Sequence, residues 1–224
     1  MRFEDLSHIS SPHGRISRRS FSGALALLPL TAAVPLAAQA APVVGQAAPA
    51  FSAVDTAGKT HQLGDFKGKL VVLEWTNPGC PFVRKHYSGD KAGNMQTLQK
   101  EFGGKGVVWL AINSTEEASS DYLAPPKLAG WISEKQAAPT ATLMDESGQI
   151  GQLYGARTTP HMFIINPAGL LIYAGAIDSI PSARLEDIRS ATNYVRQGLN
   201  ETLAGKPVSV AQSRAYGCSV KYKT

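Results

Sequence analysis

The sequence predicts an α/β fold, a central mixed β-sheet covered by helices on both faces, and three observations carry that reading. Short apolar runs rich in β-branched residues (70–73, 107–112, 140–144 and 162–165) alternate with stretches of helical periodicity. The last run is joined to residues 170–174 by Asn166-Pro167-Ala168-Gly169, a turn of antiparallel-hairpin length. A long helical pattern then closes the alternation. Strands separated by helices pair in parallel, whereas a terminal hairpin cannot, so the sheet is parallel at its centre and antiparallel at one side. With 224 residues, 43% apolar and 17% charged, the chain has the composition of one globular domain with extensions.

Residues 1–40 read as targeting rather than fold. Arg18-Arg19 precede an apolar run over 23–38, and Ala38-Gln39-Ala40 has a small-x-small cleavage pattern. Paired arginines before such a run resemble a twin-arginine export signal, which implies a periplasmic protein starting at Ala41. Pro29 and Pro35 interrupt the run and argue against a spanning helix. Without this segment the net charge falls from +5 to +3, too little and too scattered for a nucleic-acid partner.

The remaining elements follow in order. Residues 51–54 and 60–63 flank a turn at Thr56-Ala57-Gly58 and predict a short hairpin against the domain edge. Residues 70–73 have the character of a buried central strand. Pro78-Gly79 breaks it, Cys80 follows, and Pro81 suits the first position of a helix running to about Tyr87. Met95, Leu98 and Phe102 mark a second helix, and Gly103-Gly104 stops it. Residues 107–112 predict a strand, 127–135 a helix, 140–144 a strand and 150–154 a short helix. After the hairpin, Leu185, Ile188, Ala191, Val195 and Leu199 suggest one helix over 183–203. Residues 41–207 are thus expected to form the domain, and 208–224 a tail carrying Cys218.

Cys80 is placed where the positive end of a helix dipole and unpaired backbone N–H groups meet, an environment that favours the reactive thiolate. It is the candidate nucleophile, expected to be accessible at the helix mouth. A buried or permanently bridged structural cysteine is the alternative. Arg84 and Lys85 read as solvated helix charges or as further support for the thiolate.

Strand, turn, cysteine and helix, followed downstream by Thr159-Pro160 at the head of a strand, resemble the thioredoxin fold. Ala48-Pro49-Ala50-Phe51 and Asp55-Thr56-Ala57-Gly58 resemble the redoxin branch containing alkyl hydroperoxide reductase and thiol-specific antioxidant proteins. Asn77-Pro78-Gly79-Cys80-Pro81-Phe82-Val83 and Gly217-Cys218-Ser219-Val220-Lys221 are similar to a peroxiredoxin-like group of that branch. Two departures matter. Thioredoxins carry Cys-x-x-Cys, and Val83 stands at the second cysteine. Peroxiredoxins place Thr or Ser three residues before the peroxidatic cysteine, and Asn77 stands there.

The resemblance implies a periplasmic thiol oxidoreductase. Cys80 would attack a protein or small-molecule disulfide, or an oxidised sulfur. Cys218 is the candidate resolving thiol, with an external thiol or a permanent Cys80–Cys218 bridge as alternatives. Pro160 would be the cis-proline facing the cysteine; with Thr159 and Pro81 it would line the substrate groove, offering the preceding backbone for pairing. Glu74, six residues before Cys80, corresponds to a buried acid that manages a thiol proton. No cofactor is expected. His86 and His161 with Cys80 and Cys218 offer nitrogen and sulfur donors but no short-spaced ligand pair, so no metal is expected either. A thiol peroxidase passing through a sulfenic acid, or a redox-inactive partner- or metal-binding protein, are the competing readings.

Overall fold

The computed structural model describes residues 41–88 and 94–223; the expected export signal lies outside them. An N-terminal hairpin, β1 (Ser52–Asp55) and β2 (Thr60–Gln62), is followed by β3 (Val71–Trp75), β4 (Val108–Asn113) and β5 (Ala141–Met144). Then come β6 (Thr158–Thr159), the hairpin β7 (His161–Ile165) and β8 (Leu171–Gly175), and finally β9 (Cys218–Ser219). Seven strands form one sheet in the order β2-β1-β5-β4-β3-β7-β8, while β6 and β9 form a separate two-stranded ribbon. β3, β4 and β5 pair in parallel; β7 joins β3 antiparallel with Leu73 opposite Phe163. The first hairpin does more than pack at the edge. It extends the sheet by pairing Val54 with Met144.

Among the described residues five α-helices complete the fold: α1 (Pro81–Tyr87), α2 (Asn94–Gly103), α3 (Pro125–Glu134), α4 (Gln149–Tyr154) and α5 (Tyr194–Leu203). Side-chain alternation along β3 divides the core in two. Val71, Leu73 and Trp75 face a layer closed by Ile150 and Tyr154 of α4. Val72 faces the layer built from Val83 of α1, Leu98 and Phe102 of α2, and Val195 and Leu199 of α5. Each such fully buried aliphatic side chain contributes about 1.5–3 kcal/mol, so both faces of β3 hold the Cys80 end of the strand rigidly.

One expectation is corrected. Residues 183–203 do not form one helix: a 3-10 turn (Leu185–Ile188) precedes α5, and Leu185 is exposed. Asn193 explains the break. Its side chain accepts from Arg196 N at 2.8 Å and caps α5, while its backbone bridges to Asp178. A capping Asn satisfies an orphan helix N–H only from a non-helical conformation.

The tail is ordered and crosses the C-terminal ends of the parallel strands, where α/β sheets place their sites. Ala174 N donates to Ala211 O and Ala176 N to Ser213 Oγ; further on, Val220 N donates to Arg157 O, and Glu116 N to Lys221 O. Tyr222 lies over Gly148 and Gly151, where any Cβ would collide with its ring, and donates to Ala156 O at 2.6 Å.

Candidate active site

Cys80 is the N-cap residue of α1. The turn that delivers it is fixed by Asn77, whose Oδ1 accepts from Gly79 N at 2.7 Å and whose Nδ2 donates to Thr115 Oγ1 at 2.8 Å. Asn77 therefore holds the loop with both side-chain atoms. Asp121 lies against the same turn, its Oδ1 2.9 Å from where a Cβ on Gly79 would stand. On the helix side, Arg84 Nε donates to Pro78 O at 2.8 Å and is committed to the turn.

The expectation of an accessible sulfur is corrected: Cys80 is 2% exposed. The tail supplies its cover. β9 pairs antiparallel with β6, setting Cys218 opposite Thr159. The Thr159–Pro160 peptide is cis, and Thr159 O accepts from Cys80 Sγ at 3.0 Å. Both cysteines are free thiols, and Cys218 stands opposite the residue whose carbonyl receives the Cys80 hydrogen bond. Burial pushes the Cys218 thiol well up, helped by the Cys80 hydrogen bond and charge and by Asp121, while Lys221 pulls the other way. Cys218 therefore keeps its proton near neutral pH.

Gly217 makes this approach possible. Its φ is +133°, and any Cβ there would overlap the Thr159 carbonyl oxygen, the atom that receives the Cys80 hydrogen bond. Gly217→Ala is expected to lift β9 from β6 at a cost of about 1–3 kcal/mol, as overpacking does. Urea unfolding measures that cost. Faster alkylation of Cys80 in the reduced chain checks the displacement.

The other expected residues fall into place differently. Thr159 is buried and its hydroxyl has no partner among the described residues, whereas Pro81 is exposed beside the cysteine. Glu74 is fully buried and accepts from Tyr87 OH at 2.7 Å, Trp109 Nε1 at 2.7 Å and Gln99 Nε2 at 3.3 Å. Burial raises its pKa, against those hydrogen bonds. A lone carboxylate in an apolar layer is costly unless several donors meet it, and here they tie α1, α2 and β4 together. None of its hydrogen bonds goes to a thiol.

His86 and His161 do not join the cysteines. Burial pushes His161 down to about 4, with help from Arg157, and its ring leans on Phe163. His86 is also pushed down to about 4 by burial, aided by Lys85 and opposed by Asp178. Among the described residues no three His, Cys, Asp or Glu side chains gather as a metal set. Lys85, read as a solvated charge, is instead buried and paired with Asp178 at 3.3 Å. Gly217, Asp121 and Asp178 escaped the sequence reading. Only Gly217 left a trace there, as a glycine directly before the second cysteine.

The AhpC/TSA family model matches residues 44–174, a segment holding Glu74, Cys80, Thr159 and Pro160 and ending before Cys218. The thiol-disulfide oxidoreductase ResA of Bacillus subtilis (strain 168) is 27% identical over 128 residues, which are 57% of this chain and 64% of that protein. ResA of Bacillus thuringiensis subsp. konkukian (strain 97-27) is 29% identical over 131 residues, 58% of this chain and 67% of its own length. The chain therefore spans about two thirds of the curated relatives it matches. Among solved structures, a hypothetical protein from Sinorhizobium meliloti 1021 gives a TM-score of 0.72 at 22% identity, covering 83% of this chain and 97% of that one. An uncharacterized conserved protein from Geobacillus kaustophilus gives 0.65 at 27% identity, covering 81% and 93%.

Proposed function

Because the chain belongs to the AhpC/TSA family, with a thioredoxin fold, we propose that it is a thiol-disulfide oxidoreductase whose redox pair is Cys80 and Cys218. One observation carries this reading: the β6–β9 pairing sets a tail thiol opposite Thr159, whose carbonyl receives the N-cap thiol, and so supplies the sulfur that Val83 does not. Cys80, as thiolate, attacks one sulfur of a substrate disulfide. A Cys80–substrate bond forms, and the other substrate sulfur leaves as a thiolate that takes up a proton. Cys218 then gives up its proton and attacks Cys80 Sγ, releasing the second substrate thiol. The chain ends as a Cys80–Cys218 disulfide, and two electrons have passed to the substrate. An external dithiol then reduces the Cys80–Cys218 disulfide, becoming a disulfide itself, and restores the starting pair of thiols.

The raised pKa of Cys218 supports this order of attack, since a protonated thiol waits while its neighbour reacts. Thr159 and Pro160 seat the substrate backbone, at the edge that β9 holds in the closed chain, and Pro81 lies at the rim. Glu74 acts through structure, anchoring α1 beneath the nucleophile by way of Tyr87. The twin-arginine pattern of residues 18–19 supports a periplasmic location, with disulfides as substrates and a dithiol as electron donor.

Oxidation of the reduced chain with excess oxidised glutathione, followed by alkylation and peptide mass spectrometry, tests the proposal. A Cys80–Cys218 link that dithiothreitol reverses is the expected result. Two thiols that stay alkylatable after oxidation would overturn it. Catalytic peroxide consumption dependent on Cys80, without disulfide exchange, would replace it with a peroxidase.

A further inference from the structure

A buried polar cluster with no part in the exchange chemistry lies beside α1. Lys85 Nζ meets Asp178 Oδ2 and Ile180 O, each at 3.3 Å, and His86 Nε2 stands 3.8 Å from Asp178 Oδ2. Asn94 donates to His86 Nδ1 at 2.9 Å, so the imidazole proton sits on Nε2 and faces Asp178. Lys85, His86 and Asp178 are all nearly inaccessible to solvent. Buried pairs of this kind add little stability, because desolvation offsets the attraction. A different role is written in the tail side chain that reaches them. Tyr216, two residues before Cys218, donates its hydroxyl to Asp178 Oδ1 at 2.5 Å. Its ring packs edge-on against Phe82 at 5.8 Å, and Lys85 Nζ lies 5.7 Å from its centroid.

Phe82, Lys85 and His86 belong to the helix that begins at Cys80, so tail anchor and nucleophile share one short element. Two cavities flank the anchor, one of about 610 Å³ between residues 213–217 and Tyr194 and one of about 690 Å³ between residues 212–215 and His161. A substrate cannot reach a sulfur that is 2% exposed until this span moves. We infer that Tyr216 is a latch: its hydroxyl, seated on the Asp178–Lys85 pair, ties the tail to the helix that Cys80 caps, and its release lets the short β9 part from β6 and open the nucleophile to substrate while Ser213 and Tyr222 keep the rest of the tail in place.

The inference rests on the exchange reading for its purpose but not for its test. In the reduced full-length chain, iodoacetamide modification of Cys80 is followed at peptide level in the parent and in Tyr216→Phe, which keeps the ring and loses the donor. Loss of a hydrogen bond to a charged acceptor is expected to raise the Cys80 rate roughly ten- to a hundredfold. That rate should be nearly flat in urea below the unfolding transition, the mark of local opening. A purely structural tyrosine would instead give a rate that tracks global unfolding steeply with urea, and that outcome, or equal rates in the two proteins, overturns the latch. If Cys80 and Cys218 never link under oxidant while the Tyr216 effect holds, the exchange reading falls and the latch stands.

Discussion

Cys80→Ser is expected to reduce insulin disulfide cleavage to the uncatalysed level, a loss of at least about a hundredfold, while Cys218→Ser accumulates a mixed disulfide on Cys80. Serine in place of Cys80 keeps the N-cap geometry and the hydrogen bond to Thr159 O, so the fold survives and the nucleophile alone is removed. Removing Cys218 leaves the first attack intact and takes away only the neighbour that completes it. Mass spectrometry of each variant after incubation with a small disulfide separates the two outcomes. An adduct on Cys80 in Cys218→Ser, and no adduct in Cys80→Ser, is the required pattern. Turnover unchanged in Cys218→Ser would transfer resolution to an external thiol.

Oxidation should also stabilise the chain by about 2–5 kcal/mol. The Cys80–Cys218 bond would close a loop of 137 residues, and the unfolded chain loses most entropy when the closed loop is long. For a domain of this size that corresponds to a rise in melting temperature of roughly 4–20 °C. Calorimetry with and without dithiothreitol measures the difference, and Cys218→Ser should be insensitive to reductant. Equal melting of the two redox forms, with the bond shown to be present, would mean that native-state strain cancels the entropic gain.

Much of the framework was legible because its signals are local. Continuous apolar runs rich in β-branched residues located β3, β4 and β7, helical periodicity located α2, and the Pro-Gly break followed by Pro81 located the N-cap cysteine. What escaped depends on contacts distant in sequence. Lys85 carries no mark of burial, since its partner Asp178 lies 93 positions away. β9 is two residues long and exists only because β6 is there to pair with. The apolar spacing over 183–203 continues the helical period through Asn193, where the chain turns to meet Asp178. Cys80 itself was correctly placed on its helix, yet its burial comes from a tail whose path no periodicity announces.

The route by which the two sulfurs meet has a consequence for how the protein folds. The ribbon that aligns them joins segments about sixty positions apart, and it meets Cys80 through Thr159, 79 positions further along the chain; such non-local contacts form late because the loops between them must close first. A chain still on its way to the native state would therefore carry two solitary thiols, and only the finished domain would carry a couple.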